Sequence, residues 1–341
     1  MALEAATYGI RCDCSGCLCG SAEGASAPSM PPLPPAPPIS PKPPLVAMEI
    51  ATYAELRQQL AAATPGSSLA FTLAPGEVLE IEASLVIAGI SVSISSLSIG
   101  STIRRAAWAN SSRIFEVRDA GHLLLSRVNI ANGTSNGEDG GVGGGILVMG
   151  VNSILTAEFL VVSDCQTLGN RLRTQGLEVL PGESAEFGGG IAAGPGAELR
   201  LHGVRVERCR SSFGAGIGLL GSSAVLTDCH IIGGDSYPTE ADFLTDAAES
   251  LGFVSGILAT SSSVVSWRGG GIANCTNGVA TSASTFHMMD AAISGCRAGV
   301  YAAVLILEGY ASEQKWSIGN LTNVSVSDWR APSTPSRTKT S

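Results

Sequence analysis

One spacing of apolar residues recurs through the middle of this chain and constrains its fold more than any other feature. The clearest copy has six positions: Ile191, Leu199, Leu201, Val204, Val206 and Cys209. The later positions lie two residues apart on either side of a corner, so alternate side chains share one face, as in β-strands and unlike helices. Each copy therefore predicts two short strands that meet at a bend.

Five further stretches match all or most of this template. Their residues are Phe115, Leu123, Leu125, Val128, Ile130 and Gly133; Leu147, Leu155, Ala157, Leu160, Val162 and Cys165; Ala224, Leu226, Cys229, Ile231 and Gly234; Ile257, Val265, Trp267, Gly270, Ile272 and Cys275; and Phe286, Met288, Ala291, Ile293 and Cys296. No template position holds a charged residue, whereas several positions between them do. Units of this length cannot bury their apolar face alone, so the repetition predicts a solenoid of stacked coils.

Glycine-rich turns precede several of the copies. They read Gly143-Gly144-Gly145-Ile146, Gly188-Gly189-Gly190-Ile191, Gly214-Ala215-Gly216-Ile217 and Ser255-Gly256-Ile257. Glycine at such turns permits positive φ and a close approach of neighbouring backbones.

With these repeats the chain resembles the right-handed parallel β-helices of the pectin-lyase-like superfamily. The resemblance is to the branch with GG-x-I repeats, a style found in the polymorphic outer membrane proteins, and it covers residues 50–328. It implies an all-β solenoid. Because lyases, hydrolases, epimerases and adhesins share this architecture, the resemblance does not select a function.

The sequence divides into four segments. Residues 1–27 predict a disordered, cysteine-containing leader, and residues 28–49 predict a proline-rich linker with polyproline II character. Residues 50–328 form the predicted β-helix, with insertions at 166–186 and 235–255, and the polar residues 329–341 predict a disordered tail. Whether the first insertion conceals an irregular coil is left open by the spacing.

A short helix is predicted before the first strands. Tyr53, Leu56 and Leu60 recur at helical spacing, and Thr52 with Glu55 forms a capping-box signature. A solenoid exposes apolar side chains at its end, and repeat arrays need a terminal cap for solubility. We therefore expect this helix to cover the N-terminal end.

The net charge of the chain limits the kinds of binding partner that we expect. The formal net charge is −9, and no basic stripe appears outside the tail, which argues against a nucleic-acid backbone as partner and favours a neutral or cationic partner or none. The N-terminus shows no ordinary secretory signal.

The charge-free stretch 83–102 is long enough to span a membrane, but it alternates Ile90, Val92 and Ile94 with serines. It therefore predicts strands, and we expect no transmembrane segment.

Five Asn-x-Ser/Thr sequons indicate an extracellular or cell-surface glycoprotein. The acceptor asparagines are Asn110, Asn132, Asn274, Asn320 and Asn323. The serine-rich composition is the competing explanation for their number.

The cysteines form two groups. Cys165, Cys209, Cys275 and Cys296 share one interior position, where we expect buried thiols that act as small hydrophobic residues rather than disulfides. Near the N-terminus the motif C-x-C-x-x-C-x-C could hold zinc or copper, be an incidental or disulfide-linked leader, or anchor a lipid. Its residues are Cys12, Cys14, Cys17 and Cys19.

The outward positions offer few catalytic candidates. Asp228 and Asp290 share the corner position, with Gly269 between them, and Asp235 opens the second insertion. A lyase would need acidic calcium ligands beside a basic residue, and the same insertion supplies further carboxylates. These are Glu240, Asp242, Asp246 and Glu249. Asp164 and Arg208 also share a position, which predicts a surface ion pair.

The sequence favours a non-catalytic extracellular or cell-surface scaffold that needs no cofactor and binds polysaccharide or another surface ligand through its faces and loops. The alternative is a pectate-lyase-like polysaccharide lyase or related carbohydrate-active enzyme, with calcium as its cofactor.

Overall fold

The fold consists of parallel sheets that curl around a common apolar core. A computed structural model describes residues 47–98, 100–110, 112–136, 142–168, 187–211, 214–234, 256–275, 278–296, 305–308 and 318–327, all within the unit Pro44–Ser341. Apart from one helix near the N-terminus, the regular elements of these residues are β-strands. This all-β arrangement is consistent with a β-helix.

The strands lie in rows. The first row contains β1 (Met48–Glu49), β2 (Ser68–Leu73), β5 (Ser91–Ser96), β8 (His122–Ser126), β12 (Ile154–Glu158), β16 (Glu198–His202), β19 (Ser223–Ile232), β21 (Val264–Ala273), β23 (Thr285–Met289) and β26 (Ile318–Thr322). The second row contains β3 (Val78–Ile81), β6 (Ser101–Arg105), β9 (Val128–Ala131), β13 (Val161–Ser163), β17 (Arg205–Glu207), the second halves of β19 and β21, β24 (Ala292–Ser294) and β27 (Ser325–Ser327). Both rows belong to one sheet.

Two further rows complete the described strands. The third row contains β4 (Leu85–Ala88), β7 (Phe115–Arg118), β11 (Ile146–Val148), β15 (Ile191–Ala193), β18 (Ile217–Leu220), β20 (Ile257–Thr260), β22 (Val279–Ser282) and β25 (Leu305–Glu308). A short fourth row contains β10 (Thr134–Ser135) and β14 (Gln166–Thr167).

The register confirms the apolar template in the first two rows. Leu155 lies opposite Leu123 on one side and Leu199 on the other, and all three are buried. Because β12 pairs directly with β16, no coil is stacked between them. Gln166–Thr167, at the start of the predicted insertion 166–186, form the strand β14, and residues 169–186 lie outside the described residues.

The prediction of two strands per copy was incomplete. A third strand follows the glycine-rich turn, and there Ile146, rather than Leu147, lies opposite Ile191. Leu147 packs on the other face of the third row, with Phe187 and Ala192. The loop between the third and first rows varies in length, so a constant spacing fails across it, and a slip of one residue reverses the face.

The interior holds the residues that the template places there. Cys165, Cys209, Cys275 and Cys296 are buried free thiols, as predicted, and so is Cys229. The backbones of neighbouring repeats approach closely at Gly270, where an added Cβ would lie 1.9 Å from the Cys229 carbonyl oxygen. Gly270 also has a φ of +73°, which a larger residue would adopt only with strain.

The predicted helix is present as α1 (Tyr53–Ala62). Thr52 Oγ1 accepts a hydrogen bond from the Glu55 N–H at 3.2 Å, and Glu55 Oε2 accepts one from the Thr52 N–H at 3.1 Å, which completes the capping box. Leu56 is only 1% exposed and joins the core.

The charge-free residues 83–102 contain β4, β5 and the start of β6, as their alternating pattern predicts.

Candidate functional site

A polar groove of about 830 Å³ runs beside the ends of several second-row strands. Its lining is rich in arginine, and it includes Glu80, Arg104, Arg105, Ala107, Asn132, Thr134, Asp164, Gln166, Arg208, Arg210 and Gly233.

The fold stacks three of these residues at one corner. Asn132, Asp164 and Arg208 follow β9, β13 and β17, and their φ values are 60°, 54° and 53°. The Asn132 N–H donates to the Ser163 carbonyl at 3.2 Å, and the Asp164 N–H donates to the Glu207 carbonyl at 3.1 Å. Left-handed corners linked in this way repeat at the strand spacing of about 4.8 Å. Side chains far apart in the sequence therefore lie side by side.

A network of charges forms one wall of the groove. Arg208 donates to both carboxylate oxygens of Asp164, at 2.9 and 2.8 Å, which confirms the ion pair predicted from the sequence. It also donates to Glu207 at 2.6 Å, and Arg205 donates to the other Glu207 oxygen at 2.6 Å. The hydrogen bond from Arg208 lowers the pKa of Asp164. Burial raises the pKa of Glu207, but its bonds to Arg205 and Arg208 outweigh burial and lower it overall.

The opposite wall is formed by a second ion pair. Arg104 Nε and Nη2 both donate to Glu80 Oε1, at 3.0 and 2.6 Å. Arg104 and Glu207 occupy one outward column, and the two positions between them are the small residues Ala131 and Ser163. Three strand spacings separate the walls by about 14 Å. Because Ala131 and Ser163 have small side chains, a depression remains between the two walls.

Arg105 differs from Arg104 and Arg208, which line the same groove. Its Nε donates to the Asn132 carbonyl at 2.9 Å and its Nη1 donates to the Ala109 carbonyl at 2.8 Å. Among the described residues it has no carboxylate partner. In this part of the chain, the two neutral carbonyls hold the guanidinium in place without compensating its charge, and a guanidinium has further N–H groups that can donate to an acceptor.

The groove is locally positive in an acidic chain. Among the described residues, four arginines and two carboxylates line it, although the chain as a whole carries −9. Both carboxylates are already paired with arginines. A general acid for glycoside cleavage needs a raised pKa, whereas the hydrogen bond from Arg208 lowers the pKa of Asp164.

The candidates from the sequence lie elsewhere. Asp228 and Asp290 lie at the corner between the first two rows, with Gly269 between them as predicted, and neither lines the groove. Asp290 accepts a hydrogen bond from Asn323 Nδ2 at 2.9 Å and lies 3.6 Å from Arg268 Nε. The remaining candidates fall outside the described residues: Asp235, Glu240, Asp242, Asp246, Glu249, Cys12, Cys14, Cys17 and Cys19. The described part of the chain contains no group of three His, Cys, Asp or Glu residues that could hold a metal ion.

The five sequon asparagines lie on the surface. Asn110, Asn132, Asn274, Asn320 and Asn323 are all exposed. Asn132 itself lines the groove, so a glycan there would enter it.

Sequence reasoning missed the wall formed by Arg104 and Glu80. Both residues continue the outward column of Glu207, Ser163 and Ala131 toward the N-terminus. The adjacent arginines Arg104 and Arg105, after a long charge-free run, were the available signal. The first copy of the apolar template begins at Phe115, so the template does not reach the strands of Glu80 and Arg104.

Neither models of known protein families nor curated proteins match this chain. Within the described residues, the single helix is too short to cross a membrane.

Proposed function

We propose that this protein is a right-handed parallel β-helix of the pectin-lyase-like type. In this proposal it acts outside the cell or at its surface as a non-catalytic binding protein for carbohydrate chains that carry carboxylate or other anionic groups. The observation that carries the proposal is Arg105, a fixed guanidinium without a carboxylate partner among the described residues, inside a groove of about 830 Å³.

The strand pairing supports the architecture. Strands of the third, first and second rows follow one another along the chain, and each row pairs in parallel with the same row of the next repeat. A chain that returns to the same row at each turn is the pattern of a β-helix. The exposed sequon asparagines support a location where glycans are attached.

The charges support an anionic ligand. The guanidinium fork matches a planar carboxylate, and hydrogen bonds between charged groups are about twice as strong as neutral ones. The paired Arg104 and Arg208 set the width of the groove without removing the positive charge at Arg105. Net charge alone favoured a neutral or cationic partner, but a ligand responds to the local field.

The proposal can be tested by titrating uronate-containing and neutral oligosaccharides of equal length into the full chain by calorimetry. We expect binding of the acidic series only, weakening as salt is added. Arg105→Gln should weaken it by roughly tenfold or more, since a charge-assisted hydrogen bond is worth about 1.5–3 kcal/mol. Arg200→Gln is the matched control, because Arg200 is exposed, pairs with Glu198 and lies outside the groove.

Two results would contradict the proposal. One is absence of binding to the acidic series by the wild-type protein. The other is an equal loss of affinity in both variants. Thermal unfolding of Arg105→Gln checks that the loss is not a folding defect, since Arg105 also bonds to two backbone carbonyls.

A polysaccharide lyase is the second candidate, because a guanidinium that binds a uronate carboxylate would make the adjacent C–H easier to deprotonate, as β-elimination requires. Incubation of the acidic oligosaccharides with calcium distinguishes the two functions. Appearance of an unsaturated, ultraviolet-absorbing product would favour the lyase, and unchanged ligand would favour the binding protein.

A further inference from the structure

The last described strands form an exposed end of the core. Leu321 lies opposite Met288, and Val326 lies opposite Ile293, so both occupy interior positions of the repeat. Met288 and Ile293 are 1% and 2% exposed, whereas Leu321 and Val326 are 42% and 47% exposed. Among the described residues, β26 pairs only with β23, and β27 only with β24.

The two described edge strands contain none of the residues that usually protect an edge from pairing with another chain. Natural sheets protect exposed edges with charged side chains, proline or a covering segment. Residues 318–327 contain neither a charged residue nor proline. An edge whose outward N–H and C=O groups have no strand partner among the described residues, and whose apolar side chains are half exposed, is a template for association.

Two of the five sequons fall within these ten residues. They are Asn320-Leu321-Thr322 and Asn323-Val324-Ser325. Asn320 lies opposite His287 in the outward column of the first row, and Asn323 lies at the next corner with a φ of 50°. Both are exposed.

The geometry at Asn323 is compatible with a glycan. Asn323 Nδ2 donates to Asp290 Oδ1 at 2.9 Å, which fixes the amide at the corner. Attachment forms a bond from Nδ2 to the anomeric carbon of a sugar, breaks the bond of that carbon to a lipid diphosphate donor, and removes one of the two Nδ2 protons. The remaining N–H can still donate to Asp290.

We propose that Asn320 and Asn323 are N-glycosylation sites whose glycans prevent the edge formed by β26 and β27 from pairing with a second copy of the chain. The proposal rests on the extracellular or cell-surface location proposed above. It is independent of the groove, so failure of saccharide binding would leave it standing.

The test uses the full chain, produced behind a cleavable secretion signal in a eukaryotic host. Site occupancy is measured by mass spectrometry, and mass in solution by light scattering over a range of concentrations. We expect both sites to be occupied and the wild-type protein to be monomeric. Asn320→Gln with Asn323→Gln should associate as concentration rises, whereas the control pair Asn110→Gln with Asn274→Gln should remain monomeric.

A second pair separates glycan loss from damage at the corner. Thr322→Ala with Ser325→Ala removes both sequons but retains the bond between Asn323 and Asp290, and both altered side chains are exposed. This pair should associate as the asparagine variants do. Unoccupied sites in the secreted wild-type protein, or unglycosylated variants that remain monomeric, would overturn the proposal.

Discussion

The two ends of the described core have the same kind of interior but very different coverage. At the N-terminal end, α1 packs against the first repeats, and Leu56, Phe71 and Leu73 are each 1% exposed. At the C-terminal end, Leu321 and Val326 occupy equivalent interior positions and are nearly half exposed. Position in the repeat therefore defines which way a side chain points, and burial requires another element beyond it.

The largest expected difference comes from truncating one leucine at each end. Leu56→Ala should lower the free energy of unfolding by about 2–5 kcal/mol, because it leaves a cavity in a closed core. Leu321→Ala should cost about 1 kcal/mol or less, because its side chain already contacts solvent. Denaturant titration of the two variants compares them. Equal losses would show that the C-terminal end is covered as well as the N-terminal one.

A smaller difference is expected in the reactivity of two interior thiols. Burial raises the pKa of Cys209, in the middle of the stack, whereas a hydrogen bond from Cys275 lowers the pKa of Cys296 to about 7 against the effect of burial. Cys296 lies nearer the exposed end, where local opening should be easier. At neutral pH we expect alkylation of Cys296 to be roughly tenfold or more faster than that of Cys209.

Peptide mapping after timed alkylation measures both rates, and Cys296→Ser identifies the fast phase. Since the thiolate is the reactive form, the Cys296 rate should fall as the pH drops below about 7. Equal alkylation rates at Cys209 and Cys296 would show that the C-terminal end of the core opens no more easily than its middle.

The smallest effect should come from the groove wall, between the two ends. Because the folded-state pKa of Asp164 is lowered, its contribution to stability is present above the ordinary carboxyl pKa and is lost as pH falls through the lowered value. Asp164→Asn should therefore cost less than about 1 kcal/mol at neutral pH, as expected for an exposed ion pair. The cost should vanish in acid. A loss comparable with that of Leu56→Ala would mean that the groove wall stabilises the stack.

Several features of the fold were predictable because they depend on local spacing. The positions of Leu155, Leu199 and Val206, the capping box at Thr52, and the free buried state of Cys165 all follow from the period of a strand, the chemistry of a helix start and the distance between stacked strands. The third-row register was wrong at Leu147 because loop length there varies and no period carries across it.

The site was less predictable than the fold. Asp164 and Arg208 were paired correctly because both lie next to template positions. Arg105 was missed, since its role depends on the Asn132 and Ala109 carbonyls and on a depression formed by distant repeats. Asp228 resembles Asp164 in the sequence, because both lie next to template positions. The structure places Asp228 at a different corner, between the first and second rows.

The sequence by itself determined which side chains enter the core. Apolar residues recur two positions apart on either side of a bend, and this spacing can be read from the sequence alone. Only the tertiary structure decided which outward residues meet, which arginine lacks a carboxylate partner among the described residues, and which end of the core is covered. Those properties arise from stacking segments that are separated by loops of unequal length, and no local pattern records how such segments align.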